Sequence, residues 1–166
     1  QFYDVTYYED GTIQSFEPNN PHAPRTVRKQ VVMDFDSVPY PMKPIVPYIK
    51  ATQDRVTLEI QRGCIRGCRF CQAGAIYRPT REKNVELMKQ YALEMIQNTG
   101  HEEITLSSLS SSDYKGLPEL TEFLIEEMGK LKVNIALPSL RIDSFSLDVM
   151  KRVQDIKKSS LTFAAE

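Results

Sequence analysis

The sequence predicts an α/β fold, in which a parallel sheet with helices packed outside it follows a proline-rich N-terminal arm. From residue 55 onward, short β-rich runs alternate with segments of helical spacing, and such strict alternation is typical of a parallel sheet. The arm differs in composition, because residues 1–52 hold seven of the ten prolines. We therefore predict an arm from an interdomain junction over residues 1–52 and an α/β domain over residues 53–166.

The proline-rich arm is expected to be extended, since proline forbids long helices and interrupts strand ladders. One regular element is predicted in it, a β-hairpin with strands at residues 2–8 and 12–16. The two strands are joined around Asp10 and Gly11, a pair that accepts positive φ in a tight turn. A simple linker packed on a neighbouring domain would have the same composition.

The predicted elements of the α/β domain begin with a strand at residues 56–60, which ends at a loop containing cysteines. The first helix spans residues 84–98, with Asn84 as its cap and Gly100 as its stop. The later elements are, in order, a strand at 103–107, a helix at 118–128 ended by Gly129, a strand at 133–137, a helix at 145–153 and a strand at 160–164. In such sheets the chemistry lies at the carboxyl ends of the strands, so the loops that follow the strands are the candidate site.

Three cysteines are the most specific feature of the chain. Cys64, Cys68 and Cys71 are its only cysteines, and they form a C-x3-C-x2-C pattern in the run GCIRGCRFC. Three thiolates can hold three irons of a four-iron four-sulfur cluster and leave the fourth iron open to a substrate or cofactor. Gly63 and Gly67 would let the backbone turn tightly around such a bulky group.

Other roles for the three cysteines are a disulfide set and a zinc site. The odd count excludes a closed disulfide set, and the lack of a signal-like or membrane-length apolar segment favours a reducing, cytoplasmic compartment. Zinc is the stronger rival, because three cysteines and one histidine make a tetrahedral site, although His22 and His101 are far from the loop in sequence. An iron–sulfur electron-transfer module and a zinc-stabilised binding module therefore stay open beside an enzyme.

Residues 58–74, LEIQRGCIRGCRFCQAG, resemble the cluster loop of the radical S-adenosylmethionine (SAM) superfamily, with Phe70 as the aromatic residue before the last cysteine. Arg62, Arg66, Gly67 and the FCQAG run resemble, more narrowly, the radical enzymes that carry a cobalamin-binding domain ahead of the radical domain. This resemblance implies a cobalamin-binding domain upstream of the present chain.

The resemblance also extends to residues 2–50 and 103–143. It implies a partial, roughly half, parallel βα barrel of the radical SAM type, since a full eight-unit barrel needs about 250 residues and the chain has 166. The chain begins at Gln1 without a methionine and stops at Glu166 inside an apolar run. We therefore expect an excised fragment, inactive by itself, that self-associates or covers its open face with its arm.

The activity implied by the resemblance is that of a radical SAM enzyme. Cys64, Cys68 and Cys71 would hold a [4Fe-4S] cluster, and SAM would occupy the open iron. Reductive cleavage of SAM would then give a 5′-deoxyadenosyl radical, which removes a hydrogen atom from an unactivated carbon of an unknown substrate.

The other cofactor-binding candidates lie beside the last cysteine or after the predicted strands: Phe70, Ser107, Ser110, Asp113, Ser139, Arg141 and Glu166. Phe70 would pack against adenine. The family commonly places groups that hold the methionine amino end after its second strand, where this chain has a serine-rich run instead of the usual Gly-Gly-Glu. In that run we expect Asp113 to form a charge-assisted bond with the ammonium group.

Charge around the cysteine loop is lopsided, with six basic residues and one acidic residue between positions 62 and 83. This basic collar would stabilise an anionic cluster and attract an anionic substrate or an acidic electron donor such as a flavodoxin or ferredoxin. The net charge is −1, which is unlike the broad basic footprint of a nucleic-acid-binding protein. The expected partners are therefore a small-molecule cofactor, an unknown substrate and an electron donor.

Overall fold

The computed structural model describes residues 2–49, 51–141 and 163–164, and the chain divides into two compact units, Gln1–Val32 and Met33–Glu166. The first unit contains strands β1 (Tyr3–Tyr7) and β2 (Ile13–Pro18), which pair antiparallel where the sequence predicts a hairpin. In the turn, Gly11 has a φ of +82° and the Asp10 carboxylate accepts a hydrogen bond from the Thr12 N–H at 2.9 Å. The predicted domain boundary after residue 52 falls inside the second unit.

The second unit contains seven further strands and three α-helices among the described residues. In chain order they are β3 (Val56–Glu59), β4 (Gln61–Arg62), α1 (Gln72–Ile76), β5 (Arg81–Glu82), α2 (Val85–Thr99), β6 (Glu103–Ser107), α3 (Leu117–Leu131), β7 (Asn134–Ala136), β8 (Leu140–Arg141) and β9 (Phe163–Ala164). None of the helices in this described part is long and apolar enough to cross a membrane.

Strands β3, β6 and β7 form a parallel sheet in the order β3-β6-β7, which confirms the predicted parallel sheet. Alternate residues of the strands are fully buried, as at Val56, Leu58, Ile104 and Leu106, and together with apolar residues of α2 and α3 they form the core. The register places Glu59 opposite Ser107, so the carboxyl ends of β3 and β6 lie side by side. The loops that follow these two strands therefore start next to each other.

Helix α2 has the predicted ends. The Asn84 side chain accepts a hydrogen bond from the Glu86 N–H at 2.8 Å, and Gly100 closes the helix with a φ of +69°. The predicted end of the next helix at Gly129 is wrong, because α3 continues to Leu131 and Lys132 takes the left-handed conformation. A glycine inside a helix is unfavourable by only about 1 kcal/mol relative to alanine, so Gly129 does not by itself end the helix.

Three further elements of the second unit were either not predicted or lie wholly or partly outside the described residues. The antiparallel β4–β5 ladder, with two residues in each strand, closes the cysteine loop at its base and was not predicted. The predicted helix at 145–153 lies outside the described residues, and of the predicted strand at 160–164 only β9 is described, paired parallel with β8.

Residues 33–49 have no regular secondary structure, and Tyr40 among them binds the edge of β3 that pairs with no other described strand. The Tyr40 hydroxyl donates to the Thr57 carbonyl at 2.7 Å and accepts from the Glu59 N–H at 2.9 Å. Burial raises the pKa of Tyr40, so the hydroxyl keeps its proton. A single side chain thereby satisfies two of the backbone groups that an edge strand leaves unpaired.

Tyr40→Phe is expected to destabilise the protein by about 1–3 kcal/mol, because both strand groups lose their partner inside the fold. The free energy of unfolding in urea measures this change. Tyr91→Phe is the matched control, because it removes a tyrosine hydroxyl and keeps the ring that stacks on Tyr40 at 5.2 Å. Equal losses in the two variants would show that the hydroxyl bridge contributes nothing to stability.

Candidate metal centre

The cysteine loop occupies residues 63–71, between β4 and α1, at the carboxyl end of β3. Cys64, Cys68 and Cys71 are each partly buried and form no disulfide bond. The Ile60 N–H donates to the Ser107 carbonyl at 3.0 Å, so the pairing of β3 with β6 extends to the base of the loop. The loop therefore begins beside the residues that follow β6.

Backbone N–H groups reach two of the three sulfur atoms. The Arg66 N–H donates to Cys64 Sγ at 3.4 Å, and the Gly74 N–H donates to Cys71 Sγ at the same distance. The second bond makes Cys71 the N-cap of α1. Both bonds fix the position of a cysteine side chain relative to the loop backbone.

The third sulfur lies beside a guanidinium group. Arg141 Nη1 is 3.9 Å from Cys68 Sγ, and the Arg141 N–H donates to Ser112 Oγ at 2.9 Å. Arg141, a cofactor-binding candidate from sequence, is therefore in contact with the cysteine loop. Its position at β8 places a positive charge beside the sulfur of Cys68.

Asp113, another candidate, forms an ion pair with Arg66 of the cysteine loop. Its two carboxylate oxygens accept from Arg66 Nη2 at 2.5 Å and from Arg66 Nε at 3.0 Å, and the Ser110 hydroxyl donates to one of them at 2.8 Å. The Asp113 side chain is 4% exposed. The Arg66 guanidinium holds the pKa of the Asp113 carboxyl below its usual value.

The shape of the cysteine loop depends on Gly63 and Arg78. Gly63 has a φ of +87°, and a Cβ atom there would lie 2.5 Å from the Tyr77 carbonyl oxygen. Arg78 donates to the carbonyls of Arg66 at 2.8 Å and Gly74 at 3.1 Å, so it holds both ends of the segment that contains the last two cysteines.

Two cavities adjoin the cysteine loop. The first, of about 440 Å³, is lined by Arg66, Gly67, Cys68, Arg69, Cys71, Gly74, Ala75 and Arg78. The second, of about 420 Å³, lies at the carboxyl ends of β3 and β6 and is lined by Glu59, Gln61, Arg62, Gly63, Tyr77, Ser107, Ser108 and Leu109. The loop thus has one cavity within it and one beside it.

Gln61 is a residue of the second cavity that the sequence analysis missed. It is 1% exposed, and its Oε1 has no hydrogen-bond partner in the part of the chain that the structure describes. A buried acceptor without a partner is unfavourable by about 1–3 kcal/mol, and a ligand that donates to it removes that penalty. Gln61 stands between Ile60 and Arg62 at the end of a strand run. A polar residue in that place gives no sequence signal for a role as a ligand acceptor.

The remaining predicted residues are spread over the site. Phe70 is 76% exposed beside Cys71, and Ser107 lines the second cavity. Ser139 is exposed with a φ of +58°, and its carbonyl accepts from the Ser111 N–H at 3.1 Å. Glu166 lies outside the described residues.

Most residues of the predicted basic collar form contacts within the chain. The contacts are Arg62 with the Glu59 carboxylate, Arg66 with Asp113, Arg78 with two backbone carbonyls, Arg81 with the Tyr77 carbonyl and Lys83 with the Phe35 carbonyl. The charge of Arg62 and of Arg66 is thereby balanced by a carboxylate. The collar therefore presents less positive charge to a partner than the sequence implied.

His101, the histidine considered for a zinc site, precedes β6 and lies at the amino ends of the strands. Its Nδ1 is 3.3 Å from Asp54 Oδ1, whereas the cysteine loop is at the carboxyl ends. Within residues 2–49 and 51–141, no group of three or more His, Cys, Asp and Glu side chains is arranged to hold a metal ion.

Comparison with known proteins adds independent information. A sequence model of the radical SAM superfamily matches residues 58–166. An uncharacterized protein of Methanocaldococcus jannaschii is 39% identical over 109 residues, which are 66% of this chain and 23% of that protein. The chain therefore spans less than a quarter of the length of this relative. Because the superfamily match covers more than half of the chain and includes the cysteine loop, the chain belongs to the radical SAM superfamily.

Proposed function

We propose that the chain is part of an enzyme that binds a [4Fe-4S] cluster through Cys64, Cys68 and Cys71 and reductively cleaves SAM. The observation that carries this proposal is the cysteine loop itself, which lies beyond the carboxyl end of β3 of the parallel sheet and has an N–H donor at each sulfur. When bound, such a cluster supplies the electron that converts SAM to a 5′-deoxyadenosyl radical, as the superfamily resemblance implies. The substrate is not identified.

The chemistry of the donor set fits a cluster of this kind. Three thiols on one short loop supply three of the four iron ligands and leave one iron for SAM. The cavity of about 440 Å³ that Cys68 and Cys71 line provides space on the same loop. Arg141 beside Cys68 would offset negative charge on the ligated sulfur and raise the reduction potential of the site.

The second cavity is the proposed SAM pocket. Its volume of about 420 Å³ is within the usual range for small-molecule sites. The hydroxyls of Ser107 and Ser108 and the unpaired Oε1 of Gln61 offer polar partners, and Oε1 would accept from an amino group of SAM. Phe70, exposed beside Cys71, would cover the adenine ring.

Three further assignments belong to the same proposal. Ser110 and Ser139 would support the SAM pocket through the turn after β6, and Glu166, which follows β9 in the sequence, would also contribute to it. The three-stranded sheet would be the front part of a βα barrel. The remaining units of that barrel and an upstream cobalamin-binding domain would complete the enzyme. An acidic flavodoxin or ferredoxin would supply the electron, with Arg69 on the exposed side of the loop as a contact.

Anaerobic reconstitution of the intact protein tests the proposal. We expect uptake of about four irons and four sulfides per chain, followed by formation of 5′-deoxyadenosine from SAM in the presence of dithionite. Zinc retained, without uptake of iron or sulfide, would support a zinc-stabilised module instead. A cluster that assembles without any 5′-deoxyadenosine formation would support an electron-transfer module.

Gln61→Met tests the SAM pocket, because methionine has a similar size and lacks the amide group, that is, both Oε1 and the Nε2 that donates to the Gly63 carbonyl at 3.4 Å. We expect the affinity for SAM, measured by calorimetry on the reconstituted protein, to fall about tenfold through loss of one buried hydrogen bond. The iron content should not change, since Gln61 does not contact the sulfur atoms. An unchanged affinity would remove Gln61 from the SAM site.

A further inference from the structure

The cysteine loop is joined to the turn after β6 by the ion pair between Arg66 and Asp113. The pair is bidentate, so it fixes the orientation of the two groups as well as their distance. It joins residues 47 positions apart in the sequence. Because the carboxyl ends of β3 and β6 lie side by side, this contact connects the two loops that start there.

Arg66 is also held through its backbone. Its N–H donates to Cys64 Sγ at 3.4 Å, and its carbonyl accepts from Arg78 at 2.8 Å. Since Arg66 lies between Cys64 and Cys68 in the sequence, the position of its backbone affects the positions of both sulfur atoms. Any group that fixes the Arg66 side chain therefore acts on two of the three cysteines.

The turn that carries Asp113 is anchored without help from the cysteine loop. It is a short 3-10 turn, residues Ser111–Asp113, in which the Asp113 N–H donates to the Ser110 carbonyl at 3.2 Å. The Ser111 N–H donates to the Ser139 carbonyl, which ties the turn to the segment after β7. Asp113 is consequently a fixed point against which Arg66 can be held.

A second connection runs from the same turn back to the loop. Ser112 accepts from the Arg141 N–H, and the Arg141 guanidinium lies beside Cys68 Sγ. Two sets of contacts therefore link the turn to the cysteine loop. One runs through Asp113 and Arg66, and the other runs through Ser112 and Arg141. Two points of attachment restrict the loop more than one does.

We propose that Asp113 is a positioning residue, which acts through Arg66 to hold the cysteine loop in the arrangement that receives the cluster. The identity of the bound group rests on the proposed function, whereas the contact itself is a property of this chain. Both carboxylate oxygens accept bonds from within the chain, and the 4% exposure of the side chain leaves no accessible edge for the ammonium group of SAM. In this proposal the serine-rich run serves as the docking turn for the cysteine loop.

Hydrogen–deuterium exchange of the intact protein without cluster tests the proposal. In Asp113→Asn we expect peptides covering residues 63–76 to exchange roughly tenfold faster, the scale expected for loss of a charge-assisted pair, while peptides of α2 keep their rate. Arg66→Gln and the double variant should give the same acceleration as Asp113→Asn, because residues that act only through each other are not additive. Arg55→Gln is the matched control, since it removes a partly exposed ion pair with Glu103 at the amino end of β6.

Faster exchange throughout the second unit would overturn the proposal, because it would indicate a general loss of stability. If Asp113→Asn also prevents folding, Ser110→Ala is the substitute variant, because the Ser110 hydroxyl donates to the Asp113 carboxylate. We then expect a smaller acceleration of hydrogen exchange, confined to the same peptides. Unchanged loop exchange together with weaker SAM affinity of the reconstituted variant would make Asp113 a direct ligand and overturn the inference while the proposed function stands. Failure of the wild-type protein to take up iron would refute the proposed function, and the exchange result would still decide the role of Asp113.

Discussion

Alanine in place of any one of Cys64, Cys68 and Cys71 is expected to abolish cluster assembly in the intact protein. Two thiolates on one loop cannot retain a four-iron cluster whose third corner has lost its protein ligand. The measurement is iron and acid-labile sulfide per chain after anaerobic reconstitution, together with the brown colour of the cluster. Full iron content in all three single variants would contradict the central proposal.

His101→Ala is the control for the cysteine variants. His101 is near Asp54 at the opposite end of the sheet, so its removal should leave the iron content unchanged. A zinc site of three cysteines and this histidine requires the reverse, namely that His101→Ala loses the metal together with the cysteine variants. The pair of results therefore separates the two kinds of metal site.

The cysteine variants should also differ from one another before any metal is added. Cys71→Ala removes the N-cap of α1, and loss of a cap destabilises a protein by about 1 kcal/mol. Cys68→Ala removes a sulfur that lies beside the Arg141 guanidinium and caps none of the described helices. We expect Cys71→Ala to lower the free energy of unfolding of the metal-free protein more than Cys68→Ala does.

Gly63→Ala is expected to destabilise the protein by about 3 kcal/mol or more. The residue has a φ of +87°, and an added Cβ would lie 2.5 Å from the Tyr77 carbonyl oxygen and 2.9 Å from that of Pro79. Both obstacles are backbone atoms of the segment leading to β5, so relief of the clash would push apart the β4–β5 ladder. A strained φ contributes about 1–3 kcal/mol and overpacking a similar amount.

Gly67→Ala is the matched control in the same loop. A Cβ at Gly67 would have the Arg78 Nη2 at 3.8 Å as its nearest described neighbour, which is an ordinary contact. Urea unfolding should therefore show a loss below about 1 kcal/mol for Gly67→Ala. Equal losses at the two glycines would show that the loop backbone relaxes freely around residue 63.

Local sequence was sufficient for elements whose hydrogen bonds join near neighbours. Asn84 caps α2 through a bond to a residue two positions away, and Gly100 ends the helix because glycine accepts positive φ. Asp10 and Gly11 form the hairpin turn for the same reason. The predicted end of α3 was wrong because a glycine weakens a helix by only about 1 kcal/mol, and the helix passes through Gly129 to Leu131.

For the candidate site, the three cysteines and their spacing could be read from the chain, and their place near the end of a strand of a parallel sheet could be predicted from it. The groups that surround the cysteines depend on how the chain folds. Asp113 meets Arg66 across 47 residues because the register of β3 against β6 brings two strand ends together. Such pairings depend on which strands are neighbours, and no pattern of adjacent residues encodes that, so the partner of Asp113 and the contact of Gly63 with the Tyr77 carbonyl appear only when the chain is folded.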